Sequence, residues 1–149
     1  MYDRILISTD GSDLAKKGVD HGLALAKALG VDVIIVTVTE RFPVFSSGAG
    51  YDLAWSDAAL SEYAQGQKQA ADGILLGAKQ AADALGVTAA TLHVPDAEVG
   101  EAIIAAAREG GCGLIVMASH GRRGLGRLML GSKASEVLTH SDIPVLVVR

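Results

Sequence analysis

Apolar residues along the chain fall into two kinds of pattern, and together these predict five strands and four helices. Short apolar runs rich in β-branched residues are typical of strands, and they occur at 4–9, 31–39, 87–94, 114–118 and 143–148. Between these runs, apolar residues recur every three or four positions, as in helices that pack one face on a sheet. Strands that alternate with helices predict an α/β fold: one domain over 1–149, with a five-stranded parallel sheet and helices on both faces.

Capping residues and glycines set the predicted bounds of the helices. Ser12 can cap the first helix, and Gly30 follows it where a left-handed residue is expected. Pro95 and Asp96 are expected to turn the chain from the third strand into the third helix, which Gly110 ends.

Two helices carry apolar residues that we expect to face the sheet. The longest, 56–85, contains three glycines that each cost about 1 kcal/mol relative to alanine, so packing must stabilise it. Its predicted inner stripe consists of Leu60, Tyr63, Ala70, Ile74, Ala78, Ala81 and Leu85. In the last helix, 132–141, Val137 and Leu138 are expected to point inward. The segment 40–55 has no clear period, and we interpret it as a long surface loop.

A glycine- and arginine-rich segment follows the fourth predicted strand and carries the clearest chemical signal in the sequence. In parallel sheets, ligands bind beyond the carboxyl ends of the strands, which here are 8–10, 38–39 and 117–119. Glycines let the backbone approach a phosphate closely, and the amides at a helix N-terminus attract anions. The sequence therefore predicts an anion-binding site at this edge. The residues that form the signal are Gly121, Arg122, Arg123, Gly124, Gly126, Arg127 and Gly131, with Ser132 as the predicted N-cap of the last helix.

Composition argues against several classes of function. The chain has 149 residues, and its 13 Lys and Arg against 17 Asp and Glu give a formal net charge of −4. This balance argues against a general binder of nucleic acid or of anionic membranes. Neither a secretory signal nor a membrane-spanning apolar stretch is visible in the sequence. The single cysteine, Cys112, cannot form an internal disulfide and is expected to be a buried packing residue in a cytoplasmic protein.

The chain resembles the universal stress protein family over its full length. The matching stretches are Ile5–Ile7, Asp10–Ser12, the strand end at Val38, Leu114–Met117, Ser119–Gly121, Gly131–Ser132 and Ile143–Val148. The nucleotide-binding branch of that family carries the motif Gly-x2-Gly-x9-Gly-(Ser/Thr). Gly121, Gly131 and Ser132 match its second part, whereas Ala118 takes the place of its first glycine. Lys133–Ala134 follow the motif where family members often have Val-Ser or Val-Ala.

The resemblance implies a Rossmann-like fold of the adenine nucleotide alpha hydrolase type and a cytoplasmic, ATP-binding switch in the stress response. It implies ATP as the ligand, with or without Mg²⁺, and a homodimer formed through the strand at 143–148. By position, Asp10 would lie near the ribose or the metal with Ser8 and Thr9 beside it. Val38 and Met117 would flank the adenine. The residues implied around the phosphates are Ala118, Gly121, Gly131 and Ser132, with Lys133 and Ala134 next to them.

Other interpretations of the same residues stay open. Asp10 can simply shape a turn with Gly11, and Ser132 can act as a helix cap alone. The sequence pairs no serine or cysteine nucleophile with His120, so we expect no catalytic role for it and at most slow ATP hydrolysis. Because Ala118 weakens the motif, a nucleotide-free dimeric interaction module is one alternative function. A small phosphate-transferring hydrolase on the same sheet is another.

Overall fold

Strands and helices alternate along the whole chain. The computed structural model describes residues 1–42, 56–121 and 129–149. Its strands pair in parallel in the order β3-β2-β1-β4-β5, so the predicted sheet is confirmed. The elements are β1 (Arg4–Ser8), α1 (Asp13–Leu29), β2 (Asp32–Glu40), α2 (Asp57–Leu85), β3 (Ala89–Ala97), α3 (Val99–Glu109), β4 (Leu114–Ala118), α4 (Ser132–His140) and β5 (Val145–Val148).

The predicted ends of α1 are confirmed in detail. The Ser12 hydroxyl accepts a hydrogen bond from the Ala15 amide at 3.2 Å, which caps the N-terminus of the helix. Gly30 follows the last turn in the left-handed conformation, with φ at 68°. Both ends depend on residues close by in the chain, and such ends can be predicted from sequence.

Strand β3 is longer than predicted, and the turn predicted at Pro95 and Asp96 is wrong. The strand runs on to Ala97, because a change of register between Val38 and Glu40 of β2 takes up one extra residue on β3. β3 is an edge strand, where a proline that donates no hydrogen bond is tolerated. Asp96 takes up the distortion with a φ of 51°.

The helices bury both faces of the sheet. On one face, Ile5 and Ile7 of β1 pack in the same buried cluster as Leu23 of α1 and Leu75 of α2. On the other face, the intervening Leu6 belongs to a second cluster with residues of α3 and α4. Alternating side chains of a strand point to opposite faces, so both faces of β1 are covered. This explains why its apolar run is continuous rather than alternating.

Helix α2 turns a different side to the sheet from the one predicted. Its buried residues are Ala71, Leu75, Ala78 and Ala82, and of these only Ala78 belongs to the predicted stripe. Leu60, Tyr63 and Leu85 are each more than a third exposed. The helix packs through Leu75 and three alanines, so its buried side is shifted from the predicted stripe. The prediction for α4 is half right in the same way, since Val137 is fully buried and Leu138 is 43% exposed.

Strand order reverses beside β1, and this reversal positions the predicted site. From β1 the chain passes to β2 and β3 on one side of the sheet, and later returns to β4 and β5 on the other. With right-handed connections, α1 and α4 then cover opposite faces. A crevice opens between the carboxyl ends of β1 and β4, where ligands of such sheets bind.

Neighbouring leucines of α2 provide a test of the face that it buries. Leu75 is 6% exposed and Leu76 is 58% exposed. We expect Leu75→Ala to lower the free energy of unfolding by about 2–5 kcal/mol, because it opens a cavity against the sheet. Leu76→Ala removes the same atoms from an exposed site and should change it by less than about 0.5 kcal/mol. Urea denaturation of the two variants measures both values, and equal losses would contradict this orientation of the helix.

Candidate ligand-binding site

The segment after β1 folds into a tight turn whose polar groups bond to one another. The Asp10 carboxylate accepts a hydrogen bond from the Ser12 amide at 2.9 Å, and the Thr9 hydroxyl accepts one from the Gly11 amide at 3.2 Å. Gly11 has a φ of 78°, which favours glycine. Asp10 therefore does shape the turn, as one of the sequence interpretations holds. Its second carboxylate oxygen lies next to Gly121, in the segment that follows β4.

The segments that follow β1 and β4 meet at Gly121. A Cβ atom placed on Gly121 would collide with the Asp10 carboxylate. The two segments follow neighbouring strands at the point where strand order reverses, so they lie close together. With any other residue at this position, the Asp10 side chain would have to move. The sequence motif that contains Gly121 thus marks a contact between the two sides of the crevice.

Helix α4 begins one residue earlier than a Ser132 cap requires. Gly131 is the N-cap, in an extended conformation, and its carbonyl oxygen accepts the first hydrogen bond of the helix from the Ser135 amide at 2.9 Å. The Gly131 amide donates to the Ser119 carbonyl oxygen at 2.7 Å, which ties the helix start to the end of β4. The predicted capping role of Ser132 is therefore wrong, because the hydrogen bond from Gly131 to Ser119 holds Gly131 at the cap position, just outside the helix.

The start of α4 presents a positive end to the crevice. The amides of Ser132, Lys133 and Ala134 have no acceptor within the helix, since the first such bond comes from Ser135. Among the residues that the structure describes, no side chain caps this N-terminus, and the first turn of the helix contains no acidic residue. Amides in this arrangement, together with the helix dipole, attract an anion.

An ion pair joins α4 to the end of β2. The Lys133 ammonium lies 3.5 Å from the Glu40 carboxylate, and both side chains are partly exposed. β1 lies between β2 and β4 in the sheet, so this pair crosses above the carboxyl end of β1. Sequence reasoning missed Glu40. An acidic residue directly after the apolar run of β2 was the available signal, but its partner is set by the fold alone.

The predicted site residues divide between the two faces of the sheet. By strand alternation, Ser8 and Met117 share the face of α3 and α4, and Val38 packs against the buried cluster there. Thr9 and Ala118 lie on the face of α1 and α2. The methyl group of Ala118 therefore points away from the start of α4.

Burial limits what two of these residues can offer to a ligand. Ala134 is 1% exposed and Met117 is 5% exposed, and both belong to the cluster beneath α3 and α4. Their side chains are mainly packing groups. Ala134 can contribute its backbone amide to a ligand, while its methyl group anchors the first turn of α4 to the sheet.

Buried hydroxyls brace the same edge, and sequence reasoning missed them too. The Thr37 hydroxyl of β2 donates to the Thr9 carbonyl oxygen at 2.8 Å. Farther along β2, the Thr39 hydroxyl lies 3.1 Å from His93 Nε2 of β3. These bonds fix the ends of β1, β2 and β3 relative to each other. They depend on strand register, which the sequence does not reveal.

A cavity of about 600 Å³ lies next to the crevice, between α1 and α2. Of the predicted site residues, Thr9 lines it. The cavity is on the face of α1 and α2, whereas α4 begins on the opposite face. It is therefore separate from the space in front of the α4 amides. Its other lining residues are Gly11, Lys16, Val19, Asp20, Ala70, Gly73, Ile74, Gly77, Ala78 and Ala81.

The remaining candidate residues have structural roles or lie outside the described part of the chain. The Ser119 hydroxyl lies 2.9 Å from His120 Nδ1, a pairing that the sequence did not suggest, but Ser119 is only 2% exposed. Cys112 is buried as expected, and burial raises the pKa of its thiol. Within the described residues, no group of three or more His, Cys, Asp or Glu could hold a metal ion. The residues at 122–128, with the three predicted arginines, and most of the predicted loop at 40–55 lie outside the description.

No helix in the described ranges is both long enough and apolar enough to span a membrane.

Comparisons with known proteins agree on one family. The model of the "Universal stress protein family" matches residues 1–149. A curated relative, "Universal stress protein YxiE" of Bacillus subtilis, is 33% identical over 149 residues, and the match covers 100% of both chains.

Solved structures show the same likeness. A crystal structure described as a universal stress protein in complex with cAMP is 27% identical, with a TM-score of 0.71 and coverage of 99% of this chain and 97% of the other. The structure of the hypothetical protein MJ0577 is 26% identical, with a TM-score of 0.81 and coverage of 99% and 96%. The overall fold is thus shared with proteins of known structure.

Adding one methyl group at Gly131 tests the tie between β4 and α4. A Cβ atom there would lie 2.9 Å from the Ser119 carbonyl oxygen and 3.0 Å from His120 Cα. The backbone has to shift, so we expect Gly131→Ala to lower the free energy of unfolding by about 1–3 kcal/mol. Gly73→Ala is the matched control, because a Cβ atom at Gly73 meets no atom within 4 Å and alanine favours a helix by up to about 1 kcal/mol. Urea denaturation should give opposite signs, and a stable Gly131→Ala would contradict the close contact.

Proposed function

We propose that this chain, which belongs to the universal stress protein family, binds ATP at the carboxyl edge of its sheet and acts as a nucleotide-dependent regulatory protein. One observation carries the proposal. The turn after β1, the segment after β4 and the N-terminal amides of α4 converge where strand order reverses. An anionic ligand with a flat apolar part matches this combination of groups.

The phosphates of the nucleotide bind at the start of α4 in this proposal. The amides of Ser132, Lys133 and Ala134, which have no acceptor within the helix, supply donors, and the exposed Ser132 hydroxyl adds another, since it is not needed as a cap. Gly121 and Gly131 allow the segments around this helix start to pack closely, because a Cβ atom at either position would collide with Asp10 or with the segment after β4. No acidic side chain occupies the first turn of α4 to compete with an anion.

The nucleoside part of the ligand lies over the ends of β1, β2 and β4. Val38 is half-buried at the end of β2 and offers an apolar surface for the adenine, with Met117 beside it. Asp10 lies beside Gly121, where the segments after β1 and β4 meet, and this position places it near the ribose or a Mg²⁺ ion in the proposal. Binding of cAMP by a relative of this chain supports an adenine nucleotide. ATP and Mg²⁺ are the extension that we propose.

Regulation follows from the way in which one ligand would join separate segments. A nucleotide held by both the β1 turn and α4 favours the conformation in which these segments are close together. We propose that protein partners in the cytoplasm bind this conformation during stress. The proposal includes at most slow ATP hydrolysis, because Ser119, the hydroxyl paired with His120, is only 2% exposed.

The alternative of a nucleotide-free interaction module rested on Ala118. Its methyl group lies on the face of α1 and α2 by strand alternation, on the opposite side of the sheet from α4. This geometry favours nucleotide binding over the alternative, because the methyl group leaves the space in front of the α4 amides free.

Thermal unfolding with and without nucleotide tests the proposal. A ligand at 100 times its Kd stabilises the native state by about 2.7 kcal/mol, so ATP should raise the Tm by several degrees. Asp10→Ala should reduce this shift. Asp32→Ala removes the same charge from an exposed position at the start of β2, at the opposite end of the sheet, and should leave the shift unchanged. No shift with ATP, ADP or AMP, and no nucleotide released from the purified protein on denaturation, would leave the interaction module as the better explanation.

We also propose that the chain forms a homodimer through β5. This strand is at the edge of the sheet opposite β3, and Leu146 on it is 39% exposed. The backbone groups along its outer side are available to a second copy of the strand, and an apolar edge of this kind is usually covered or paired.

A charge placed on each edge strand tests the dimer. Val147→Lys puts an ammonium group into the proposed interface and should give monomers in light scattering. Leu92→Lys, on the opposite edge strand β3, is the control, because Leu92 is 38% exposed and lies away from β5. Persistence of the dimer in Val147→Lys, or its loss in Leu92→Lys, would place the interface elsewhere.

A further inference from the structure

We propose that Lys133 makes the site selective for nucleotides with several phosphates, by exchanging its ion pair with Glu40 for contacts with the outer phosphates. The inference rests on the proposed nucleotide function and adds a basis for selectivity to it. The ligand class that it names is an adenosine di- or triphosphate. A monophosphate or cyclic monophosphate would leave the pair with Glu40 in place.

The position of Lys133 is unfavourable for the helix itself. It lies in the first turn of α4, where the helix dipole disfavours a positive charge. The first turns of α1, α2 and α3 each contain an acidic residue instead, namely Asp13, Asp57 and Glu101. A residue that breaks a local rule of this kind is often placed for function.

Glu40 is the negatively charged partner of Lys133 in the absence of a ligand. The two charged groups lie 3.5 Å apart, and the side chains are 39% and 52% exposed. Exposed pairs of this kind contribute little to stability, because water screens them. Exchange of Glu40 for another anion therefore costs little.

The direction of the exchange follows from the charges. The first phosphate of any nucleotide is served by the amides at the start of α4, whether or not Lys133 takes part. Each further phosphate adds negative charge near Glu40, which repels it, and near Lys133, which attracts it. The Lys133 ammonium group is then attracted more strongly to the phosphates than to the Glu40 carboxylate, and it donates a charge-assisted hydrogen bond to a phosphate oxygen.

Calorimetric titration with ATP and with AMP tests the inference on the intact protein. Lys133→Gln should weaken ATP binding about tenfold and AMP binding by less than about threefold, since it removes one charge-assisted contact. Lys27→Gln makes the same charge change in the last turn of α1, at the other end of the sheet, and should leave both affinities unchanged. Unfolding of the free variants by urea checks that Lys133→Gln is folded, as the exposure of its side chain indicates.

Glu40→Gln tests the exchange itself. The variant should bind ATP about threefold more tightly than the wild type, because the lysine no longer leaves a partner. For the same reason, Lys133→Gln should cost more ATP affinity in the Glu40→Gln background than in the wild type. If Lys133 only attracts ATP through its charge and exchanges no partner, Lys133→Gln should lower ATP affinity equally in both backgrounds. Equal losses would therefore overturn the exchange.

The outcomes separate this inference from the proposed function. If ATP and AMP both bind and Lys133→Gln weakens them equally, the selectivity is wrong and the nucleotide site stands. If neither nucleotide binds the wild type, the proposed function is wrong and the selectivity with it.

Discussion

The close contact between the turn after β1 and the segment after β4 is the constraint on which the candidate site depends. Strand order reverses between these two strands, so their carboxyl ends are neighbours while the helices that follow them cover opposite faces. The space between the segments is small enough that a Cβ atom at Gly121 would collide with Asp10. The tie from Gly131 to the Ser119 carbonyl oxygen then sets where α4 begins. The fold thus brings a carboxylate, two glycines and a helix N-terminus to one place.

Features that depend on neighbours in the chain could be predicted from the sequence. The run Leu114–Ala118 is the observed strand β4, and Ser12 and Gly30 bound α1 as expected. Features that depend on distant segments could not. The buried side of α2 is set by alanines that fit against the sheet, and the end of β3 is set by a register change in its pairing with β2. Hydrophobic periodicity reports neither.

The candidate site divides in the same way. Its backbone groups could be predicted from the glycine motif, because the spacing along the chain indicates which amides lie at the start of a helix. Its side-chain partners do not, because Glu40 is separated from Lys133 by most of the sequence and meets it across the end of β1. The cap of α4 shows the limit of the motif, since the pair Gly131–Ser132 predicts a helix start but not which of the two residues is the cap.

The departures from the family motif affect the site to different degrees because of where they lie. Ala118 adds a methyl group on the face of α1, where Gly18 packs against the end of β4: a Cβ atom at Gly18 would lie 3.4 Å from the Ala118 amide nitrogen. That methyl group therefore meets protein and not the crevice. Lys133, in contrast, lies at the crevice and forms an ion pair there with Glu40. The two charges cancel while no anion is bound, so the chain keeps its site without an uncompensated charge. A positive group becomes available when a stronger anion than one carboxylate arrives.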